Sequence, residues 1–302
     1  MKLDFKPVIQ LCDKIHISYS IEAKTAVLSS FRVGGTAKLV VYPDCINSFC
    51  QLLSVIVENN IKFIVIGNGT NIYFNDYYQG IIIITKNLSA ISKNNHKLTA
   101  LCGTDLNKLS RFALNERLSG VEFAFGIPGT VGGALYMNAS AFGSSISTCI
   151  DETLVFDLMD KKIKTIYGEE HRFGLKSSVF SKEKRYIILK TTFDLYPKSY
   201  EEIKEKMDMY MSYRINSQPL NFPSAGSVFI KPKDNFASKL VDEAGLKGTK
   251  IGGIEVSKKH AGFFINTGNG TANDVNNLIS YVKKIIKEKY NIELHQEIIF
   301  IE

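Results

Sequence analysis

Residues 120–140 read GVEFAFGIPGTVGGALYMNAS. The stretch holds five glycines and one proline, Pro128, and Glu122 is its only charged side chain. Glycine lets backbone N–H groups approach a neighbour because no Cβ intervenes, and proline stiffens the run by fixing φ. Such a segment can hold an anion without any Lys or Arg, since successive main-chain amides form a positive concavity of their own. A second segment has the same character: Ile66-Gly67-Asn68-Gly69-Thr70-Asn71 follows directly on the apolar run 63–66. Neither fits a standard nucleotide signature. A P-loop needs a lysine after its glycines, and Gly67-Asn68-Gly69 lacks the third glycine of a dinucleotide fingerprint. A lone GxG is an ordinary tight turn. Two such loops on one chain, with small polar side chains as extra donors, point to a dinucleotide held by main chain.

The surrounding sequence narrows the class. At 302 residues the chain is long enough for two or three domains. Its longest purely apolar runs, such as 81–84, are far too short to span a bilayer. The N-terminus MKLDFKPVIQLCDK has neither the apolar core nor the cleavage site of a secretion signal, so the expectation is a cytoplasmic protein without membrane insertion. Five cysteines (12, 45, 50, 102, 149) and five histidines are dispersed, which argues against a metal site or a disulfide framework. The net charge of +7 is spread rather than gathered into a stripe. That argues against nucleic acid and suits anionic small molecules.

Short β-rich runs alternate with helical patterns, which indicates an α/β or α+β fold. Helical spacing covers 46–58, and Thr104 is expected to cap a helix over 105–117. Strands are expected at 38–42, 63–66, 81–85, 153–158, 164–167 and 186–195, with a last one at 294–301. Ser199 and Glu202 form a capping box that opens a helix carrying Ile203, Met207 and Met211, and a domain boundary is set there. A helix over 235–244 should end at Gly245, and Val275, Leu278, Ile279, Val282, Ile285 and Ile286 mark one more.

The motifs, taken together, resemble one family. Phe31-Arg32-Val33-Gly34-Gly35-Thr36-Ala37, the 66–71 loop, the 120–139 stretch, Gln218-Pro219, 223–229, 244–248 and Val256-Ser257-Lys258-Lys259-His260 fall in the order found in UDP-N-acetylenolpyruvoylglucosamine reductases. The resemblance implies an α+β protein. A vanillyl-alcohol-oxidase/PCMH-type FAD-binding fold would occupy subdomains 1–88 and 89–198, and a C-terminal α+β substrate-binding domain residues 199–302. It implies a noncovalent FAD enzyme of peptidoglycan precursor synthesis, using NADPH to reduce UDP-N-acetylglucosamine enolpyruvate. Hydride would pass from flavin N5 to C3, and a protein acid would protonate C2. No metal is implied, the chain is expected to be a monomer, and the direct run from 186 to 199 matches the family's shorter form.

Residue by residue, the resemblance implies that Gly67, Asn68, Gly69, Thr70 and Asn71, with Gly129, Thr130, Val131, Gly132 and Gly133, contact FAD largely through amides. Ser227 matches the proton donor and Glu297 the acidic residue near the substrate carboxylate, while Gln218 and Lys231 would contact the sugar nucleotide. The chain departs from the family at Leu175-Lys176, where Tyr-Arg is usual. Lys176 keeps a cation but loses the planar two-pronged donor that grips a carboxylate. Two other readings stay open: an FAD-dependent dehydrogenase of another hydroxy acid or sugar, and a flavin-binding protein without catalysis.

Overall fold

The computed structural model describes residues 4–302, and the chain is an α+β protein of two compact units. One comprises 1–21, 39–68 and 79–212, the other 22–38, 69–78 and 213–302.

In the first unit the helix Ile46–Glu58 forms as its apolar spacing predicts and buries Phe49, Leu52, Leu53 and Ile56. Phe63–Ile66 pairs in parallel with 81–84, so the isoleucine run is a strand buried on both faces. A five-stranded antiparallel sheet runs in the order Lys162–Tyr167, Ile150–Asp157, Tyr186–Asp194, Lys97–Leu101, Ile91–Asn94. The helix after Lys97–Leu101 covers Leu106–Asn115, shorter than expected. Its cap position belongs to Asp105, because the Thr104 hydroxyl donates instead to the Ala90 carbonyl. The Ser199–Glu202 box is present. Ser199 Oγ donates to the Glu202 carboxylate at 2.7 Å, Glu202 N–H donates back at 3.3 Å, and the helix runs from Tyr200 to Ser217.

In the second unit an antiparallel sheet orders Ser224–Ser227, Phe263–Asn266, Ile254–Val256 and Lys250–Ile251. The helix Ala272–Tyr290 buries Val275, Leu278, Ile279, Val282 and Ile286. The helix expected over 235–244 spans Ala237–Glu243, and Gly245 follows at φ +75°. The last strand is confined to Ile299–Ile301, pairing in parallel with Ile72–Phe74. Before it, Gln296 makes only an isolated bridge to Phe229, so the alternation from 294 overstates the strand. Phe31, Val33 and Tyr73 pack into the same core as Phe264 and Ile298, which ties early segments to the C-terminal part. Among the described residues no helix is long and apolar enough to cross a membrane.

One polar cluster fastens the first unit's sheet. The fully buried Asp157 carboxylate accepts two hydrogen bonds from Arg185, at 2.7 and 2.6 Å, and one from Lys164 at 2.7 Å. Arg185 holds this carboxyl well below the usual carboxylate range; burial opposes it, and Lys164 and the Met159 and Asp160 amides add to it. A depressed carboxyl stabilises the fold above the unfolded value of about 4, and the contribution fades as pH falls towards the folded value. Asp157→Asn should therefore lower the thermal midpoint by several degrees at pH 7, with a gap to wild type that narrows below about pH 4. A gap independent of pH in thermal scans would show that the charge contributes nothing.

Candidate active site

The first loop leaves the strand Phe63–Ile66 with no room for side chains. A Cβ on Gly67 would lie 2.1 Å from Thr130 Oγ1. One on Gly69, at φ +64°, would lie 1.9 Å from the Leu28 carbonyl oxygen, and the Gly69 carbonyl itself accepts from Ser30 N–H at 3.0 Å. Among the described residues, the amides of Gly67, Asn68, Gly69, Thr70 and Asn71 donate to no protein acceptor. Five consecutive unengaged donors are what an anion-binding loop must offer, because a buried or partly buried N–H needs an acceptor. Asn71 contributes differently with its side chain, donating from Nδ2 to the Glu297 carbonyl at 3.2 Å.

The second loop is more committed to its own structure than its glycines suggest. Val131 N–H donates to the Thr104 carbonyl and Gly132 N–H to the Cys102 carbonyl, both at 2.8 Å. Gly133 N–H goes to Thr130 Oγ1 at 3.3 Å, which caps the helix Val131–Met137. These three amides have no hydrogen left for a ligand; those of Gly129 and Thr130 meet no acceptor among the described residues. Other glycines of the opening stretch serve packing and turns. Gly132 lies where a Cβ would sit 3.1 Å from Cys102, and Gly126, at φ +84°, donates to Asn107 Oδ1. Asn68 was expected to lend donors to a ligand. Its Nδ2 instead reaches Asp105 Oδ1 at 2.6 Å and the Pro128 carbonyl at 2.8 Å. Gly67, Asn68, Pro128 and Thr130 thus meet within the first unit, while Gly69, Thr70 and Asn71 belong to the second.

Lys176 lies at the tip of a two-residue reversal. Gly174 and Ser177 exchange backbone hydrogen bonds at 2.9 and 3.3 Å, Leu175 is 65% exposed, and Lys176 has φ +50°. A left-handed conformation is uncommon for lysine and needs support from its surroundings. Asn138, from the end of the opening stretch, gives some of it by donating Nδ2 to the Gly174 carbonyl at 2.9 Å. Just upstream, Phe173 stacks on His171 at 5.1 Å between centroids. That imidazole is buried, bonded to the Gly168 carbonyl and Thr153 Oγ1, and burial pushes its pKa down.

Ser227 and Glu297 lie on adjacent backbone in the second unit. Ser227 is exposed at the end of its strand, directly after Gly226 at φ +77°, and Glu297 N–H donates to the Val228 carbonyl at 2.8 Å. Lys231 is exposed, with Nζ 4.4 Å from the Phe236 ring centroid. Gln218 is half-buried just beyond the helix Tyr200–Ser217. Sequence reasoning passed over Arg214 on that helix, which is only 7% exposed; burial depresses its pKa, and its carbonyl accepts from Gln218 N–H. The available signal was its position four residues ahead of Gln218, one helical turn away.

Residues 218–301 match the UDP-N-acetylenolpyruvoylglucosamine reductase, C-terminal domain, and residues 37–164 match an FAD binding domain. UDP-N-acetylenolpyruvoylglucosamine reductase 2 of Bacillus thuringiensis subsp. konkukian is 42% identical over 268 residues, 88% of this chain and 87% of that protein. The UDP-N-acetylenolpyruvoylglucosamine reductase of Clostridium novyi is 40% identical over 294 residues, 97% and 94% of the two chains. The crystal structure of UDP-N-acetylenolpyruvylglucosamine reductase from Thermus caldophilus superposes with a TM-score of 0.80 at 26% identity, over 95% of this chain and 99% of the other. With both domains matched in order and relatives at 40% identity or more aligned over 88% and 97% of its length, the chain belongs to the UDP-N-acetylenolpyruvoylglucosamine reductase family and carries its FAD-binding domain.

Proposed function

We propose that this protein reduces UDP-N-acetylglucosamine enolpyruvate to UDP-N-acetylmuramate, with FAD as noncovalent cofactor and NADPH as co-substrate. The observation that carries the cofactor part is the run of five amides, 67–71, that meet no acceptor among the described residues and begin at Gly67, where an added Cβ would meet Thr130. Those residues fit a diphosphate: it needs donors, close backbone approach and no competing side chain. In this reading 1–88 and 89–198 are the flavin-binding subdomains and 199–302 is the substrate-binding domain. The step belongs to peptidoglycan precursor synthesis in the cytoplasm, and through cell-wall supply it bears on cell shape and division.

The flavin, when bound, supplies the hydride that C3 of the enolpyruvyl group receives. This chain's own residues supply the rest. Lys176 acts as the cation that stabilises charge developing on the substrate carboxylate, as fixed donors do in an oxyanion hole. Ser227 delivers the proton to C2, tuned by neighbours because a free hydroxyl is a weak acid. Glu297, whose N–H donates to the carbonyl of Val228 next to Ser227, is the acidic residue near the substrate carboxylate and acts on it in its protonated form, as a hydrogen-bond donor. Gln218 and Lys231 hold the sugar nucleotide.

The purified protein should be yellow or take up added FAD. Anaerobic NADPH should bleach it, and the enolpyruvyl nucleotide should restore the colour. Flavin that NADPH bleaches but the nucleotide fails to reoxidise would favour a dehydrogenase of another substrate, and flavin that NADPH cannot bleach a non-catalytic binder. Stopped-flow of the pre-reduced enzyme tests Lys176. Lys176→Ala should slow reoxidation by the nucleotide about a hundredfold, and Lys176→Arg should hold or exceed the wild-type rate. An Ala variant as fast as wild type would remove Lys176 from the chemistry.

A further inference from the structure

Asp105 stands just outside the helix Leu106–Asn115 with the extended backbone of a cap residue (φ −63°, ψ 138°), yet its carboxylate accepts nothing from the helix's free amides. It forgoes a contact that ordinarily stabilises a helix start. Oδ1 is engaged elsewhere, accepting from Asn68 Nδ2 at 2.6 Å while that nitrogen also reaches the Pro128 carbonyl at 2.8 Å. A carboxamide carries two N–H groups, so both are used and the Asn68 side chain offers a ligand only its oxygen. The main chain of the same region is spliced to the second loop. Leu106 N–H donates to the Gly129 carbonyl at 3.0 Å, Val131 N–H to the Thr104 carbonyl at 2.8 Å, and Asp105 bridges Thr130. Residue 105 is therefore joined to one glycine loop by its backbone and to the other by its side chain.

A carboxylate next to loops that bind an anion is electrostatically unfavourable, so its presence calls for a compensating role. We propose that Asp105 is a positioning residue for the cofactor: by holding the Asn68 carboxamide against Pro128 it fixes the two loops in register before FAD arrives. The inference rests on the flavin reading above. Without the latch, the amides of Gly67 and Asn68 must be ordered against those of Gly129 and Thr130 at the moment of binding, and that ordering weakens affinity. The expected signature is a loss in FAD binding that depends on Asn68, with the helix itself unaffected.

Titration of the full-length apoprotein with FAD, followed by flavin fluorescence, tests this. Asp105→Ser keeps a good capping side chain but is too short to reach Asn68, whereas Asp105→Asn keeps an acceptor oxygen at the same reach. Asp105→Ser and Asn68→Ala should each raise the Kd for FAD about tenfold, and the double variant should be no more than about threefold weaker than Asn68→Ala alone. Asp105→Asn should stay within about threefold of wild type, and the thermal midpoint of apo Asp105→Ser should match wild type. If Asp105→Ser lowers that midpoint, Asn68→Ala, which leaves the residue at the cap position unchanged, carries the same tenfold expectation against Asp105→Asn in the same titration. Wild-type affinity in Asp105→Ser overturns the proposal, as does a further tenfold loss when it is added to Asn68→Ala. A wild-type chain that takes up no FAD overturns the flavin reading itself and this inference with it, and the two failures are distinguished in the first titration.

Discussion

The contact between Gly67 and Thr130 is the constraint on which the candidate site depends. Thr130 Oγ1 occupies the space a Cβ on residue 67 would fill, so the loop after Phe63–Ile66 can lie against the loop before Val131–Met137 only if residue 67 is glycine. That hydroxyl also caps the helix by accepting from Gly133 N–H. One threonine side chain thus sets the direction of a helix and the distance between two loops. The asymmetry of the loops follows. Among the described residues the first keeps its amides unengaged from Gly67 to Asn71; the second uses three of its five for its own fold.

This division of labour explains why so much bare backbone occurs without cationic side chains. In the 120–140 stretch only the Gly129 amide, of the five glycine amides, meets no acceptor among the described residues; other glycines let the chain turn and pack closely, as Gly126 and Gly132 do. Main-chain donors fixed by a scaffold hold an anion without the conformational entropy of a lysine. Lys176 sits on a turn braced by Asn138, and Arg214 is buried one helical turn before Gln218.

Much of this was legible in the sequence where local physics decides. The helix over 46–58 formed at its expected limits because its apolar residues recur at 3.6 spacing with no competing arrangement. The Ser199–Glu202 box formed because its partners are three residues apart. Where a distant partner decides, local reading fell short. Thr104 lost the cap to Asp105 because Ala90 claimed its hydroxyl. Segment 294–301 alternates like a strand, but backbone partners, which alternation cannot reveal, extend regular pairing only over Ile299–Ile301. Nothing local marks 22–38 and 69–78 as companions of the last ninety residues. At the site, the family motifs located the loops, but not the hydrogen bonds that saturate Asn68 and the amides of 131–133.

The central claim is that uncharged amides, brought together by the fit of Gly67 against Thr130, hold the flavin diphosphate. It is tested most directly by equilibrium FAD binding to Gly67→Ala, with folding verified by circular dichroism. The added methyl must displace Thr130 and part the loops, so the account requires a folded, colourless protein whose FAD affinity has fallen by about a hundredfold or more. A folded Gly67→Ala chain that binds FAD as tightly as wild type would contradict it.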